Sequence, residues 1–129
     1  RRTAHLHCAD IFERLGVRMV FSTEDGTRGD RGFITAPLDA ALDALPPGRS
    51  VRLYVCGPTA MMRAVASVAQ THGTPCDVSL EQVMGCGLGG CYSCVVPARD
   101  AGGAPHHTRS CIDGPVFDAT RIVWDALAH

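Results

Sequence analysis

The amino-acid sequence predicts an α/β fold, in which a parallel sheet with crossover helices is followed by a small β-rich module. Up to Leu80, segments with helical periodicity alternate with short apolar strands, the order expected of βαβ units. After Glu81 the periodic helices stop, and short strands alternate with turns rich in glycine and proline. We therefore place a boundary near Glu81, between residues 1–80 and residues 81–129.

The first part follows the order α-β-α-β-α-β. Helices are predicted where apolar residues recur three or four positions apart and glycine or proline ends the pattern. They span residues 4–15, 35–45 and 59–70, and the predicted strands span 17–22, 51–56 and 76–80. The third helix has the clearest pattern, with Met61, Met62, Val65 and Val68 or Ala69 on one face.

The second part contains two short predicted strands, residues 94–97 and 108–111. A loop rich in glycine, proline and histidine joins them, and we expect His106 and His107 to lie at its solvated tip. Asp113-Gly114-Pro115 predicts a further turn before a final apolar stretch that ends at Trp124.

Length and composition exclude several classes of function. The 129 residues suffice for one domain with its own core, or one domain with a small appendage. A formal net charge of −1 argues against nucleic-acid binding. No run approaches the roughly 18 apolar residues of a membrane span, and Arg1-Arg2 precede no apolar signal core. Free cysteines without an export signal predict a cytoplasmic protein.

The most specific motif is Cys-Gly-Leu-Gly-Gly-Cys-Tyr-Ser-Cys, which places three of the seven cysteines within nine residues. A fourth cysteine follows after sixteen residues, so the pattern is C-x(4)-C-x(2)-C-x(16)-C, formed by Cys86, Cys91, Cys94 and Cys111. Plant-type 2Fe–2S clusters are bound by cysteines with this spacing. The loop must turn sharply around the cluster, and Gly87, Gly89 and Gly90 can adopt positive φ without a steric cost.

Four other interpretations of these cysteines compete with a 2Fe–2S site. Structural zinc usually takes two well-separated short knuckles, and only Cys91 and Cys94 form one. A redox dithiol at the same pair would be followed by a helix, whereas the sequence continues as a strand. Disulfides would leave one of the seven cysteines unpaired. A Rieske centre needs two separate histidine ligands, whereas His106 and His107 are adjacent.

A second motif lies where a predicted strand ends in Cys56-Gly57-Pro58 and a helix begins at once. Ligands of open α/β sheets bind at the carboxyl ends of the strands, and helix N-termini attract phosphate or amide groups. The alternative is a tight strand-to-helix turn in which Cys56 is a small buried thiol.

These motifs occur together with Val78-Ser79-Leu80-Glu81, Met84-Gly85-Cys86-Gly87 and Cys111-x-Asp113-Gly114-Pro115-Val116-Phe117. In combination they resemble the electron-transfer subunit of bacterial dihydroorotate dehydrogenase. The resemblance covers nearly the whole chain and is strongest from Leu53 to Phe117. The cysteine motif with its Asp-Gly-Pro-Val-Phe tail is specific, whereas Cys-Gly-Pro is shared among ferredoxin reductase relatives.

The resemblance implies an FAD-binding β-barrel, a Rossmann-like NAD domain of the ferredoxin reductase type and a C-terminal 2Fe–2S module. Residues 1–80 would form part of the Rossmann-like parallel sheet, and residues 81–129 would form the small β-rich 2Fe–2S cluster module. The implied cluster ligands are Cys86, Cys91, Cys94 and Cys111.

The resemblance also implies cofactor contacts in the first part. Cys56-Gly57-Pro58, with Met61 in the following helix, would face the nicotinamide. The loop containing Asp25 and Gly26 would lie towards the adenosine end of NAD, or it is a plain solvated turn. Glu81 would either approach the flavin and nicotinamide or only hold the cysteine loop.

The implied function is that of an oxidoreductase electron-transfer subunit in pyrimidine biosynthesis. It would transfer electrons between the cofactors NAD(H) and FAD on one side and a partner protein on the other. The partner is the dihydroorotate dehydrogenase catalytic subunit, and the two would form a heterotetramer. No side chain need act as a general acid or base, because the cofactors carry the chemistry. The alternatives are the NAD-linked reductase subunit of a sulfide dehydrogenase or hydrogenase, a stand-alone ferredoxin-like carrier, or a zinc-stabilised module without a redox role.

The sequence departs from the family in one respect. The FAD barrel, the first strand of the NAD domain and the glycine-rich phosphate turn after that strand are absent from these 129 residues. We therefore expect a fragment or a truncated homologue that holds a cluster but is not catalytically complete by itself.

Overall fold

The computed structural model describes residues 3–127 and divides into two compact units, Arg1–Pro47 and Gly48–His129. Each unit is described by itself. Residues 1–2 and 128–129 are outside the described residues. They include Arg1-Arg2 and the outer ends of the two predicted domains.

The first unit is built from short elements. After a 3-10 turn at Thr3–His5, these are helix α1 (Ala9–Arg14), strands β1 (Ser22–Thr23) and β2 (Asp30–Arg31), and helix α2 (Thr35–Asp43). The two strands pair in parallel over two residues each. The helix predicted over 4–15 begins late because Cys8 has a left-handed φ of 62°, which a right-handed helix cannot contain. The strand predicted over 17–22 is wrong except at Ser22.

The second unit contains the longest helix and two small sheets. Its elements are β3 (Leu53–Cys56), α3 (Thr59–Thr71), β4 (Cys76–Ser79), β5 (Val95–Arg99), β6 (Pro105–Arg109), α4 (Ser110–Asp113) and β7 (Val116–Asp118), followed by 3-10 turns at Ala119–Arg121 and Trp124–Ala126. The first sheet has the order β3-β4-β7, with β3 parallel and β7 antiparallel to β4. Strands β5 and β6 form an antiparallel hairpin. The mixed α/β class is therefore confirmed, with small sheets.

The predicted strand-helix-strand segment from β3 to β4 is confirmed to within two residues at each end. The hairpin differs more from the prediction. Cys94 precedes β5, Cys111 lies in α4, and His106 and His107 lie within β6 instead of at the loop tip. The tip is closed by Asp100, whose side-chain oxygen accepts hydrogen bonds from the backbone of Gly102 and Ala104.

Strand β7 joins the sheet of β3 and β4 although it follows the cysteine motif in the chain. The boundary predicted at Glu81 thus falls inside the second unit. Its core is centred on Val78, Leu80 and Val96, which are fully buried. Helix α3 covers the first sheet with Met62, Val65 and Ala69, and burying each large apolar side chain contributes about 1.5–3 kcal/mol.

No helix within residues 3–127 is long and apolar enough to span a membrane.

Candidate metal centre

The predicted cluster ligands lie on a cysteine loop, residues 81–94, and on helix α4. The loop leaves the sheet after β4, where the backbone N–H of Leu80 donates to the carbonyl of Pro115 at 2.9 Å. Positive φ is confirmed at Gly87 (65°) and Gly89 (78°) but not at Gly90. Tyr92 instead takes the left-handed conformation, with φ of 60°, which is uncommon for a residue with a side chain.

Cys86 and Cys91 form an exposed pair at the start of the motif. The backbone N–H of Leu88 donates to Cys86 Sγ at 3.3 Å. This N–H lowers the pKa of Cys86 to about 6, with further contributions from the backbone N–H and the thiol of Cys91 and from the N–H of Gly90. The loop therefore stabilises Cys86 as a thiolate, the form in which cysteine binds metals.

Cys94 and Cys111 form the second pair, which is more enclosed. Cys94 is only 2% exposed, and Cys111 is half-buried on α4. The backbone N–H of Cys111 lowers the pKa of Cys94, and the thiol of Cys111 acts in the same direction. The pKa of Cys111 is raised chiefly because its side chain hydrogen-bonds to Cys94. One member of each pair is thus favoured as a thiolate.

This arrangement fits a binuclear cluster better than a single ion. Within residues 3–127, no group of three or more His, Cys, Asp or Glu side chains converges where one ion could be held. A 2Fe–2S cluster instead takes two ligands on each of two irons. The backbone N–H of Gly89, which acts on Cys111, connects the loop to the second pair. The four thiols, two on each side, fit the donor set of a 2Fe–2S centre, in which each iron takes two thiolates.

Two side chains brace the loop. Ser93 Oγ accepts a hydrogen bond from the backbone N–H of Gly85 at 2.8 Å and lies 3.1 Å from Cys91 Sγ. Arg109 donates from Nη1 to the carbonyl of Gly89 at 2.8 Å, and its guanidinium carbon lies 5.3 Å from the centre of the Tyr92 ring. Neither brace is predicted by the sequence patterns. Ser93 could have been suspected because it lies inside the Cys-x-x-Cys knuckle, but no sequence signal identifies Arg109.

Asp113 positions helix α4 and was predicted only as part of a turn. Its carboxylate accepts from Thr108 Oγ1 at 2.8 Å and from the backbone N–H of Arg109 at 3.1 Å. The N–H of Arg109 and the Thr108 hydroxyl lower the pKa of Asp113. Because these bonds connect the end of α4 to β6, they help to orient Cys111.

Large apolar side chains are exposed around the cysteines. We name them the apolar rim: Val83, Met84, Leu88, Tyr92 and Ile112. Leu88 is 85% exposed and Val83 80%. These residues lie within or next to the cysteine motifs in sequence, and exposed apolar side chains grouped in this way suggest an interaction site.

The Cys-Gly-Pro turn lies where β3 ends. Cys56 is exposed, so the alternative of a buried thiol is wrong. Gly57 has φ of 149°. Pro58 is the residue just before α3, and no side chain caps the free backbone N–H groups of the first turn of that helix. A Cβ on Gly57 would lie 2.6 Å from Met61 Cε, so the tip of this flexible side chain would have to move. The backbone φ of Gly57 is the stronger reason for glycine, because residues with a Cβ rarely adopt it.

The turn and the cysteine loop share one edge of the first sheet. Strands β3 and β4 are parallel, and Cys56 pairs in register with Ser79. Both strands therefore end at the same edge, and Glu81, which is exposed, follows two residues after Ser79. The carboxyl edge of parallel strands is where α/β sheets bind ligands.

Asp25 and Gly26 belong to the first unit. Asp25 Oδ1 accepts from the hydroxyl of Thr27 at 2.7 Å and from its backbone N–H at 3.1 Å. These bonds lower the pKa of Asp25. Gly26 has φ of 73°. The segment is an Asx turn, and its role at the adenosine end of NAD stays a prediction.

Residues 81–123 match the family model described as the iron–sulfur cluster binding domain of dihydroorotate dehydrogenase B. The predicted family resemblance is confirmed. Three relatives named as the electron transfer subunit of dihydroorotate dehydrogenase B (NAD(+)) match this chain. The protein of Desulforamulus reducens is 33% identical over 92% of this chain and 44% of its own length. That of Caldanaerobacter subterraneus subsp. tengcongensis is 34% identical over 88% and 43%, and that of Bacillus cereus is 36% identical over 87% and 40%.

A solved structure of an NADH-dependent reduced ferredoxin-NADP oxidoreductase, studied for flavin-based electron bifurcation, has a similar fold. It aligns with a TM-score of 0.75 and 30% identity, over 98% of this chain and 43% of the other. This chain thus spans less than half the length of each of these relatives.

Proposed function

We propose that this chain is the iron–sulfur part of an electron-transfer subunit of dihydroorotate dehydrogenase B. Electrons would pass from NAD(H) and FAD on one side to the catalytic subunit of dihydroorotate dehydrogenase on the other, or in reverse. That enzyme belongs to pyrimidine biosynthesis. The observation that carries the proposal is the match of residues 81–123 to the iron–sulfur cluster binding domain of dihydroorotate dehydrogenase B, in which the Leu88 N–H donates to Cys86 Sγ at 3.3 Å. The names of the relatives support the identity of the electron donor and acceptor.

The four cysteines would hold a 2Fe–2S cluster, which supplies reversible one-electron transfer. The chain's contribution is to present thiolates. Backbone N–H groups of Leu88, Cys91 and Gly90 stabilise Cys86, and that of Cys111 stabilises Cys94. Soft thiolate ligands favour iron–sulfur clusters over hard cations. Arg109 and Asp113 hold the loop and α4 in place.

We further propose that the segment containing β3, α3 and β4 belongs to a Rossmann-like NAD domain. The exposed turn at Cys56, Gly57 and Pro58, with Met61 against it, would face the nicotinamide, and Asp25-Gly26 would lie towards the adenosine. Glu81 would lie near the flavin and nicotinamide. The shared sheet edge of the turn and the start of the cysteine loop supports this arrangement.

The apolar rim would dock the catalytic subunit in a heterotetramer. Its side chains are exposed, as are Cys86 and Cys91 on the cysteine loop. A cluster bound there would lie at the protein surface, as transfer to another subunit requires. The free thiols support a reducing compartment such as the cytoplasm.

Anaerobic purification tests the cluster. We expect about two iron atoms and two sulfides for each chain, with the visible absorption of a 2Fe–2S centre. Bound zinc without sulfide would contradict the proposal. The longer protein that contains this segment should then reduce the dihydroorotate dehydrogenase catalytic subunit with NADH. A loaded protein that reduces dyes or ferredoxins but not that subunit would favour a different reductase complex.

A further inference from the structure

Ser110 directly precedes the ligand Cys111 and is hydrogen-bonded through its backbone to Cys94. In the β5–β6 register, Val95 pairs with Arg109 and Val96 with Thr108. Ser110, the first residue of α4, follows directly after this pairing, and its backbone N–H donates to the carbonyl of Cys94 at 3.0 Å.

The Ser110 hydroxyl has an unmet requirement for hydrogen bonding. The residue is 1% exposed. Among the buried side-chain oxygen and nitrogen atoms of residues 3–127, Ser110 Oγ is the one that has no hydrogen-bond partner. A buried polar group without a partner costs about 1–3 kcal/mol, so such a group calls for an explanation. The nearest cluster cysteine is Cys94, whose carbonyl accepts the backbone N–H of Ser110. The Ser110 hydroxyl lies close enough to Cys94 to contribute to the lowering of its pKa, although its Oγ does not reach hydrogen-bonding geometry.

We propose that the Ser110 hydroxyl donates a hydrogen bond to the Cys94 thiolate in the cluster-loaded protein and thereby raises the reduction potential of the centre. This inference rests on the proposed 2Fe–2S site. Hydrogen bonds to the sulfurs and the degree of solvent exposure are among the factors that set cluster potentials. Reduction adds negative charge to the cluster and its ligands, and a donor aimed at a ligand sulfur stabilises that charge. Burial strengthens the effect because water cannot replace the donor.

Ser93 is the natural comparison. Its hydroxyl also lies beside a cluster cysteine, 3.1 Å from Cys91 Sγ, but both residues are exposed. Water can therefore take over that contact when the hydroxyl is removed, so the potential should depend less on Ser93 than on Ser110.

The test uses the longer, cluster-loaded protein with Ser110→Ala, Ser110→Thr, Ser93→Ala and, as an inert control, Ser67→Ala on the exposed face of α3. Reduction potentials are measured by spectroelectrochemistry. Pulsed EPR of the reduced protein in D₂O counts exchangeable protons coupled to the cluster. Ser110→Ala should keep its iron and sulfide, lower the potential by more than Ser93→Ala does, and lose one coupled exchangeable proton. Ser110→Thr should restore both signals, and Ser67→Ala should change neither.

Two results would overturn the inference. One is a fully loaded Ser110→Ala protein with an unchanged potential and proton count. The other is loss of the cluster in Ser110→Ala that Ser110→Thr does not repair, which would make the serine a packing residue. Failure of the unmodified protein to assemble a 2Fe–2S cluster would instead refute the proposed function, so the two failures are distinguishable.

Discussion

The cysteine centre and the Cys-Gly-Pro turn lie at the same edge of one sheet but differ in how complete they are. The centre has all four thiols, donors for the thiolates, and braces from Arg109 and Asp113 within one compact unit. The turn has an exposed thiol, a close contact with Met61 and an uncapped helix start. A cluster is enclosed by one loop and one helix, whereas a dinucleotide must be held along its whole length. We therefore expect the first site to form within this chain and the second to supply only one side of the proposed dinucleotide site.

The largest effect expected is complete loss of the cluster. Alanine in place of any one of Cys86, Cys91, Cys94 or Cys111 should abolish the 2Fe–2S absorption, because each iron needs both thiolates of its pair. Cys8→Ala is the control, since Cys8 is exposed and lies in the other unit. Iron analysis and visible spectra measure the outcome. A variant that keeps a full spectrum would remove its residue from the ligand set.

The second prediction concerns the incomplete site. The 129-residue chain should bind NADH only in the millimolar range, near −4 kcal/mol, instead of the micromolar range near −8 kcal/mol. The reason is that the pyrophosphate normally needs a glycine-rich turn after the first strand of the domain, and this sequence contains none in that position. Calorimetric titration measures the affinity, with Cys86→Ala as a control that should bind equally weakly. A dissociation constant of about 10 μM or tighter would show that the turn forms a complete site.

The third prediction separates holding the cluster from docking the partner. Leu88→Ser should leave iron content unchanged, since Leu88 contributes its backbone N–H and its side chain is exposed. It should weaken binding of the catalytic subunit about tenfold, as expected when roughly 1.4 kcal/mol of apolar contact is lost. Leu15→Ser is the matched control because Leu15 is also exposed but lies outside the rim. Equal binding by both variants in surface plasmon resonance would place the interface elsewhere.

The smallest effect tests how tightly the loop is packed. Alanine at Gly87 or Gly89 should cost about 1–2 kcal/mol, because both residues have left-handed φ. Gly89→Ala should cost about 1 kcal/mol more, since its Cβ would overlap Ile112 Cδ1 whereas nothing lies near Gly87. Denaturant unfolding measures the difference. Adding Ile112→Ala to Gly89→Ala should remove the extra cost. A double-mutant cycle that shows no coupling energy between positions 89 and 112 would mean that the loop relaxes freely.

The sequence predicted the parts of the molecule that depend on local chemistry. Helix α3 and strands β3 and β4 follow from strong periodicity. The cysteine spacing and the glycines between the cysteines indicated a sharply turning cluster loop. The first unit was predicted less well. Its strands are only two residues long, and Cys8, which the sequence placed in a helix, takes a left-handed conformation instead. Such short elements carry too few residues for periodicity to define them.

What the sequence by itself determined is the chemistry of the centre: four soft ligands, glycines for the sharp turns and a family resemblance carried by these residues. Only the tertiary structure decided that β7 joins the sheet of β3 and β4, that Cys56 is exposed, that Arg109 and Asp113 hold the cysteine loop and α4, and that Ser110 Oγ is buried without a partner. The physical reason is range. Spacing and turn chemistry act over a few neighbouring residues, whereas burial and hydrogen bonding between β6, α4 and the cysteine loop depend on contacts between segments distant in the chain.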